Sequence, residues 1–226
     1  MSLHYVEILF QMIVFVFALS VHESAHAWTA NRCGDPTARM LGRITLNPIK
    51  HIDPWGTIVL PIIAMVTGFP VIGWAKPTPV DPRNFKNPVL DDILTSVAGP
   101  VSNFTLAILA VLLLAFVKGT SPLGQQIVYG IPRSVVPDSG SLLVPMCVLL
   151  WEFMVINIVL GVFNLIPVPP LDGSHVIRHF MPESVRRVYD SFGMFALMAL
   201  VFLGGGLLGQ LIFPVIGLFT KILFSL

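Results

Sequence analysis

The hydrophobic positions of this chain fall into long runs, not into the spaced stripes of a soluble domain. The first run covers Tyr5 to Ala30. About 24 helical residues reach about 36 Å, enough to cross a hydrocarbon core of about 30 Å. A second run lies within Val89 to Val117, with its apolar centre at Phe104 to Val117. A third covers Leu142 to Ile166, interrupted by Glu152 and Asn157. A fourth, Phe192 to Leu226, is divided at Gly204-Gly205-Gly206 into one long broken helix or two short spans. Trp55 to Phe69 is apolar too, but at about 15 residues it is short for a span. With Pro61 inside it and Gly68 near its end, it predicts a re-entrant or interfacial segment.

The polar stretches between the runs predict little regular structure. Gly34-Asp35-Pro36 predicts a turn. Leu41 to Pro48 alternates weakly and includes Ile44 and Thr45, which predicts a short strand ended by Asn47-Pro48. The proline-rich stretch from Val71 to Pro88 reads as extended loop, with a second strand near Gly73 to Ala75. Lys118 to Ser141 reads as a Gly- and Pro-punctuated loop, and His175 to Asp190 as a short, polar, helix-capable piece.

Composition makes the membrane reading firm. Of 226 residues, 55% are hydrophobic and only 11% are charged, against about 25% charged in soluble domains. The expected fold is therefore an all-α polytopic membrane protein. Residues 1–226 read as a single membrane-embedded domain, because no linker, charge block or internal repeat divides them. A net charge of +1 gives no reason to expect a nucleic-acid partner. The first run has no basic segment before it and no small-residue cleavage site after it, so it is expected to be retained and not removed as a signal peptide. Cys33 and Cys147 are too few for a disulfide framework and are expected to be unpaired fillers.

Charge also orients the chain. If Trp55–Phe69 turns back within the membrane, ten of the thirteen Lys and Arg fall on one side: Arg32, Arg39, Arg43, Lys50, Lys76, Arg83, Lys86, Arg178, Arg186 and Arg187. If it crosses, they scatter. The positive-inside rule favours the first arrangement and makes that side cytoplasmic. The chain ends of the first and third runs, which carry His26 and Asp172, then share that side and can meet.

The candidate chemistry lies at those ends. His22-Glu23-Ser24-Ala25-His26 sits at the end of the first run. Histidines four apart share one helix face, and H-E-x-x-H is the pattern of two zinc ligands with a carboxylate to handle the proton of bound water. Ionisable side chains are costly in hydrocarbon, which weakens an accidental reading. A hydrolytic zinc takes three protein ligands and keeps one open position. Asp172 is the best third ligand: it follows Pro167, Pro169 and Pro170, which hold the backbone extended, and Gly173 then permits a turn. Its competing role is an ion pair with Arg178. Glu23 is the candidate general base. Asn164, just before the proline corner, is a candidate amide donor to a developing oxyanion or to substrate backbone.

Other polar residues carry weaker signals. His175 and His179 are also four apart, but lack an adjacent carboxylate and read as a solvated face. His51 reads as a loop residue, and His4 and Glu7 as interfacial. Glu152, inside a span, reads as functional, as protonated, or as facing a polar cavity. Trp28, Trp55, Trp74 and Trp151 read as packing or interface anchors.

Three motifs together resemble the site-2 proteases, the intramembrane zinc metalloproteases of peptidase family M50. His22-Glu-Ser-Ala-His26 is similar to the family's HExxH, Gly99-Pro-Val-Ser-Asn103 to its GPxxN, and Asn164 through Gly173 to its NxxPxPxLDG. The resemblance implies a three-helix catalytic core with additional spans and a small membrane-associated β-strand region. It implies one catalytic Zn2+ held by His22, His26 and Asp172, with Glu23 catalytic and Asn164 and Asn103 in supporting or substrate-contacting roles. It implies hydrolysis of peptide bonds in or near transmembrane segments of membrane proteins, in a prokaryotic plasma membrane, with lipid and a transmembrane substrate as partners. Larger relatives carry a PDZ or CBS domain, for which no stretch here is long enough. The rival readings are a metal transporter or other non-proteolytic metal-binding membrane protein, and a membrane zinc hydrolase acting on soluble or lipidated peptides.

Overall fold

The computed structural model describes residues 3–60, 62–63, 74–137 and 139–226, with side chains from residue 10 onward. The long elements are α1 (Leu3–Cys33), α3 (Pro88–Thr120), α5 (Leu143–Asn164), α7 (Glu183–Leu203) and α8 (Gly205–Ser225). Shorter helices α2 (Thr37–Met40), α4 (Pro122–Gly130) and α6 (Asp172–Arg178) fall between them. Among the described residues, four segments are long and apolar enough to cross a membrane: Phe10–Cys33 of α1, and the whole of α3, α5 and α8.

Local chemistry sets the helix boundaries. Proline at the first position, where no amide partner is needed, starts α3 and α4. Asp91 Oδ2 accepts from the Asn87 amide at 2.8 Å, and Ser121 Oγ accepts from the Gly124 amide at 2.9 Å. Lys118 Nζ donates to the carbonyls of Leu223 and Phe224, at 3.0 and 3.1 Å, and so satisfies the end of α8.

Helices α1, α3 and α5 pack on one another, and α8 closes against α3 and α5. Lipid tails are as apolar as leucine, so close packing and not exclusion from water drives this association. Small residues provide it. Ala18, Ala27 and Ala30 of α1 and Ala107 and Ala110 of α3 are buried. Gly161 of α5 lies against the Phe104 ring, where a Cβ would stand 3.0 Å from it. The core between the spans holds Leu114, Ile127, Met154, Ile158 and Leu223. Cys33 and Cys147 are both free, as expected.

The expected β-strand region is not found: among the described residues all regular structure is helical. Residues 41–47 form turns and bends because side chains already occupy the Thr45 backbone. Ser24 Oγ donates to the Thr45 carbonyl at 2.7 Å and accepts from its amide at 2.9 Å, and His51 Nε2 donates to the same carbonyl at 2.8 Å. A ladder would need those groups. The second expected strand starts at Gly73, outside the described residues; Trp74 and Ala75 are irregular and belong to a strap running along residues 51–57. The Trp74 amide donates to the Gly56 carbonyl (3.2 Å), and the Lys76 amide to that of His51 (2.8 Å).

Within Trp55–Phe69, Pro54–Val59 is a wide π-helical turn capped by Asp53. Residues 61 and 64–69 lie outside the described residues, and the re-entrant path is not shown. The fourth run differs from expectation. Gly204 breaks it, but its first half belongs to α7, which begins at polar Glu183. Only α8 has the apolarity and length of a span. The 118–141 stretch likewise contains a helix, α4, in place of an uninterrupted loop.

After α5 the chain turns through the proline corner into α6. The Val168 amide donates to the Ile166 carbonyl (2.8 Å), and the Leu171 amide to the Val168 carbonyl (2.9 Å). Gly173 passes so near the carbonyls of Leu165 and Ile166 that no side chain fits there. From outside, α7 supports the corner: Gly193 lies against the Pro169 ring, and Tyr189 donates its hydroxyl to the Pro167 carbonyl at 2.9 Å.

Candidate active site

His22 and His26 project from one face of α1 and are buried. Asp172 opens α6, at the end of the proline corner. The fold brings the three together. The two Nε2 atoms are 3.0 Å apart, and Asp172 Oδ2 lies 3.2 Å from His22 Nε2 and 3.4 Å from His26 Nε2. Among the described residues these form the one cluster of three potential metal donors.

The neighbours of the imidazoles determine which nitrogens are bare. His26 Nδ1 is 2.7 Å from the carbonyl of Thr95. A carbonyl only accepts, so Nδ1 carries the proton and Nε2 of the neutral ring carries a lone pair. His22 is held by a longer relay that also ends on a carbonyl. Asn157 Nδ2 donates to the Phe153 carbonyl at 2.8 Å. Its Oδ1 then accepts from Asn103 Nδ2 at 2.9 Å. Asn103 Oδ1 therefore faces His22 Nδ1, 2.6 Å away, as acceptor. Both Nε2 lone pairs point at the same small space.

Asp172 Oδ2 points there as well, and it is buried without a hydrogen-bond partner. Three converging lone pairs repel one another unless a cation lies among them, and three donors are more than one proton can satisfy. A tetrahedral zinc with bonds of about 2.0–2.1 Å needs donors about 3.3 Å apart. The observed separations of 3.0, 3.2 and 3.4 Å fit it.

Glu23 lies beside this trio but outside it. Its Oε2 accepts from the Thr78 amide at 2.8 Å and from the Thr78 hydroxyl at 2.7 Å. Gly99 of α3 faces both imidazoles: a Cβ there would stand within 2.6 Å of the Nε2 atoms of His22 and His26.

The remaining candidates fall as follows. Asn164 Nδ2 donates to the Leu160 carbonyl of its own helix at 3.0 Å, and no contact joins its side chain to the trio. Arg178 pairs with Asp190 at 3.7 Å, not with Asp172. His175 and His179 are a solvated face only in part: the His175 side chain is 42% exposed, that of His179 18%. Both turn to the buried Asp92 of α3, with His179 Nε2 at 2.7 Å and His175 Nδ1 at 3.9 Å, and tie α6 to α3. Their partner lies more than 80 positions earlier in the chain, so spacing alone could not reveal it. Glu152 accepts from Gln11 of α1 at 3.3 Å.

Four contributors escape or are underrated by sequence reasoning: Thr78, Thr95, Gly99 and Asn157. Asn157 has a signal, an amide inside an apolar span. Thr95 acts through its carbonyl, which no side-chain pattern announces. Asn157→Leu removes the relay while keeping the branching and number of side-chain heavy atoms. The expected result is a fall of about 10- to 100-fold in zinc affinity, the usual cost of losing an outer partner of a ligating histidine. Competition against a chelating dye measures it, and wild-type affinity would show that the relay does not orient His22.

Comparison with known proteins bears on the family. The family model described as Peptidase family M50 matches residues 10–204. YwhC of Bacillus subtilis, named as a candidate zinc metalloprotease, is 38% identical over 192 residues, covering 84% of this chain and 78% of that protein. Rip2 of Mycolicibacterium smegmatis, named in the same way, is 29% identical over 172 residues, covering 76% of this chain and 57% of its own length. Rip2 of Mycobacterium tuberculosis is 28% identical over 192 residues, covering 82% and 62%. No solved structure matches the chain. With its apolar spans, its two-histidine, one-aspartate cluster and these relatives, the chain belongs to peptidase family M50, as a multi-pass membrane metalloprotease.

Proposed function

We propose that this protein hydrolyses peptide bonds within or beside the transmembrane segments of other membrane proteins, releasing parts of them in regulated intramembrane proteolysis. The observation that carries the reading is the convergence of His22, His26 and Asp172 lone pairs beside Glu23 at the end of a membrane span. His22, His26 and Asp172 would hold one zinc ion. Zinc bound there supplies a Lewis acid for a peptide carbonyl and a water that is nucleophilic at neutral pH.

The chain's own groups do the rest. Glu23 takes a proton from the attacking water and returns it to the leaving amine. Asn164, once released from its own helix, is a candidate amide donor to substrate. A membrane helix keeps its amides bonded internally, so the substrate must unwind before a carbonyl can be attacked. Helix-breaking residues at the cut region should therefore mark good substrates. The excess of Lys and Arg around residues 32–86 and 178–187 favours a cytoplasmic opening. The bacterial relatives make a prokaryotic plasma membrane the expected location.

The test is reconstitution with a single-span substrate protein, comparing wild type with Asp172→Asn. Wild type is expected to bind one zinc and cut, and Asp172→Asn to lose both zinc and cleavage. Replacing helix-breaking residues at the cut region with Leu or Ala should slow cleavage at least about tenfold, because unwinding one turn becomes costlier by more than about 1.4 kcal/mol. Uncut single-span substrate alongside rapid cutting of soluble peptides would overturn the reading in favour of a different zinc hydrolase. Metal flux into vesicles without proteolysis would point to a transporter.

A further inference from the structure

The strap between residues 74 and 86 carries a feature that the metal trio does not explain. It includes Lys76-Pro77-Thr78-Pro79-Val80-Asp81-Pro82. Proline has no amide hydrogen, so Thr78 is the only backbone donor in Pro77–Pro79, and a following proline biases Thr78 toward extended backbone. That single amide points at Glu23 Oε2, 2.8 Å away, and the Thr78 hydroxyl reaches the same oxygen at 2.7 Å. The hydroxyl also lies 3.0 Å from the Glu23 carbonyl. Its one proton goes to the charged oxygen, the stronger acceptor at the shorter distance. Oε1 accepts no hydrogen bond among the described residues. The carboxylate is thus tied by one oxygen and open at the other.

The strap is pinned on both sides of Thr78. Before it, the Lys76 amide donates to the His51 carbonyl at 2.8 Å, and Thr57 Oγ1 donates to the Trp74 carbonyl, also at 2.8 Å. After it, the Asp81 amide and Asn84 Nδ2 donate to the buried Asp35, at 2.8 and 2.9 Å. The Lys86 amide donates to the Cys33 carbonyl, at 3.2 Å. Only Gly34 separates Asp35 from α1, the helix that carries Glu23. Burial would raise the Asp35 carboxyl, but the donors Thr37, Asp81 and Asn84 hold it below its ordinary value, so this anchor stays ionised. A segment tied at both ends to the frame of the base is built to hold that base still, not to lift away from it.

We infer that Thr78 is a positioning residue for the general base. It fixes the Glu23 carboxylate by Oε2 and leaves Oε1 as the atom that takes the proton. In the step, the water O–H bond breaks with its electron pair left on oxygen, and Oε1 gains the proton. The same proton later goes to the amine nitrogen as the C–N bond breaks. The inference rests on the reading of Glu23 as base. The contrary role for the same contact is an autoinhibitory clasp, with the strap blocking the base until substrate displaces it.

The experiment compares wild type, Thr78→Val, Thr78→Ser, Thr78→Ala and Glu23→Gln on a reconstituted single-span substrate. Thr78→Val keeps the shape and the backbone amide but removes the hydroxyl. Its kcat is expected to fall about tenfold or more, the size of one hydrogen bond to a charged group. KM should stay within about twofold and zinc content should be unchanged, because ground-state binding is untouched. Thr78→Ser should restore most of the rate. If Thr78→Val does not fold, Thr78→Ala carries the same comparison. In metal-free protein, Thr78→Val should lower the thermal midpoint when Glu23 is present and much less in a Glu23→Ala background. An unchanged or raised kcat, or equal thermal effects in both backgrounds, would overturn the inference; a raised kcat would identify the clasp. If Glu23→Gln itself still cleaves, the reading of Glu23 fails instead.

Discussion

Glu23→Gln is expected to fold, bind one zinc per chain and lose cleavage. Gln matches Glu in size, and its carbonyl oxygen can still accept from the Thr78 amide and hydroxyl, so the contact at 2.7–2.8 Å survives. Glu23 is not one of the three converging donors, so their spacing is untouched. What is lost is the capacity to take a proton. General acid–base groups contribute about 10²- to 10⁴-fold. Here one group serves twice, toward the water and toward the leaving amine, which places the loss near the upper end, about 10⁴-fold. Zinc content by mass spectrometry, measured on the same samples as substrate cleavage, separates loss of chemistry from loss of metal. Cleavage within tenfold of wild type would remove Glu23 from the mechanism.

Gly99→Ala is expected to be the most damaging conservative change outside the donors themselves. In an ordinary helix, replacing Gly by Ala stabilises by about 0.4–1 kcal/mol. Here the new methyl would stand within 2.6 Å of both imidazole Nε2 atoms. One side must move. Overpacking of this kind costs about 1–3 kcal/mol, but the greater consequence is geometric. Thr95, Gly99 and Asn103 are spaced four apart on α3. The first orients His26 and the last orients His22. If α3 backs away to admit the methyl, both imidazoles lose their partners at once. Zinc affinity should fall more than about 100-fold, beyond the loss of a single outer partner, with a lowered thermal midpoint. Gly119→Ala on the same helix, with nothing within 4 Å of the new Cβ, is the control and should be silent. Wild-type zinc affinity in Gly99→Ala would show that the approach of α3 does not limit the site.

Much of the site is legible in the amino-acid sequence. His22 and His26 share a helix face because the helical period puts them there, and Asp172 stands on a corner that three prolines hold extended and Gly173 lets turn. The apolar runs locate the spans because crossing hydrocarbon needs length and apolarity, both one-dimensional properties. Where sequence and fold part, the cause is shared. The weak alternation at Leu41–Pro48 suggests a strand, but Ser24 and His51 occupy the Thr45 backbone. His175 and His179 have the spacing of a solvated face, but the fold sets them against Asp92. In both cases the deciding partner lies on a different part of the chain.

The chain by itself thus determined the membrane class, the HExxH helix and the carboxylate most suited to join it, because each follows from local spacing or composition. The tertiary structure alone decided that three lone pairs converge, that a relay from Asn157 through Asn103 sets one tautomer, and that Thr78 ties one oxygen of Glu23. Those features depend on how closely α1, α3 and α5 approach and where individual carbonyls and amides point. Neither is a property of any single stretch of sequence: the approach comes from small residues such as Gly99 meeting side chains on a different helix, and the direction of the Thr78 amide from a strap pinned to His51 and Asp35.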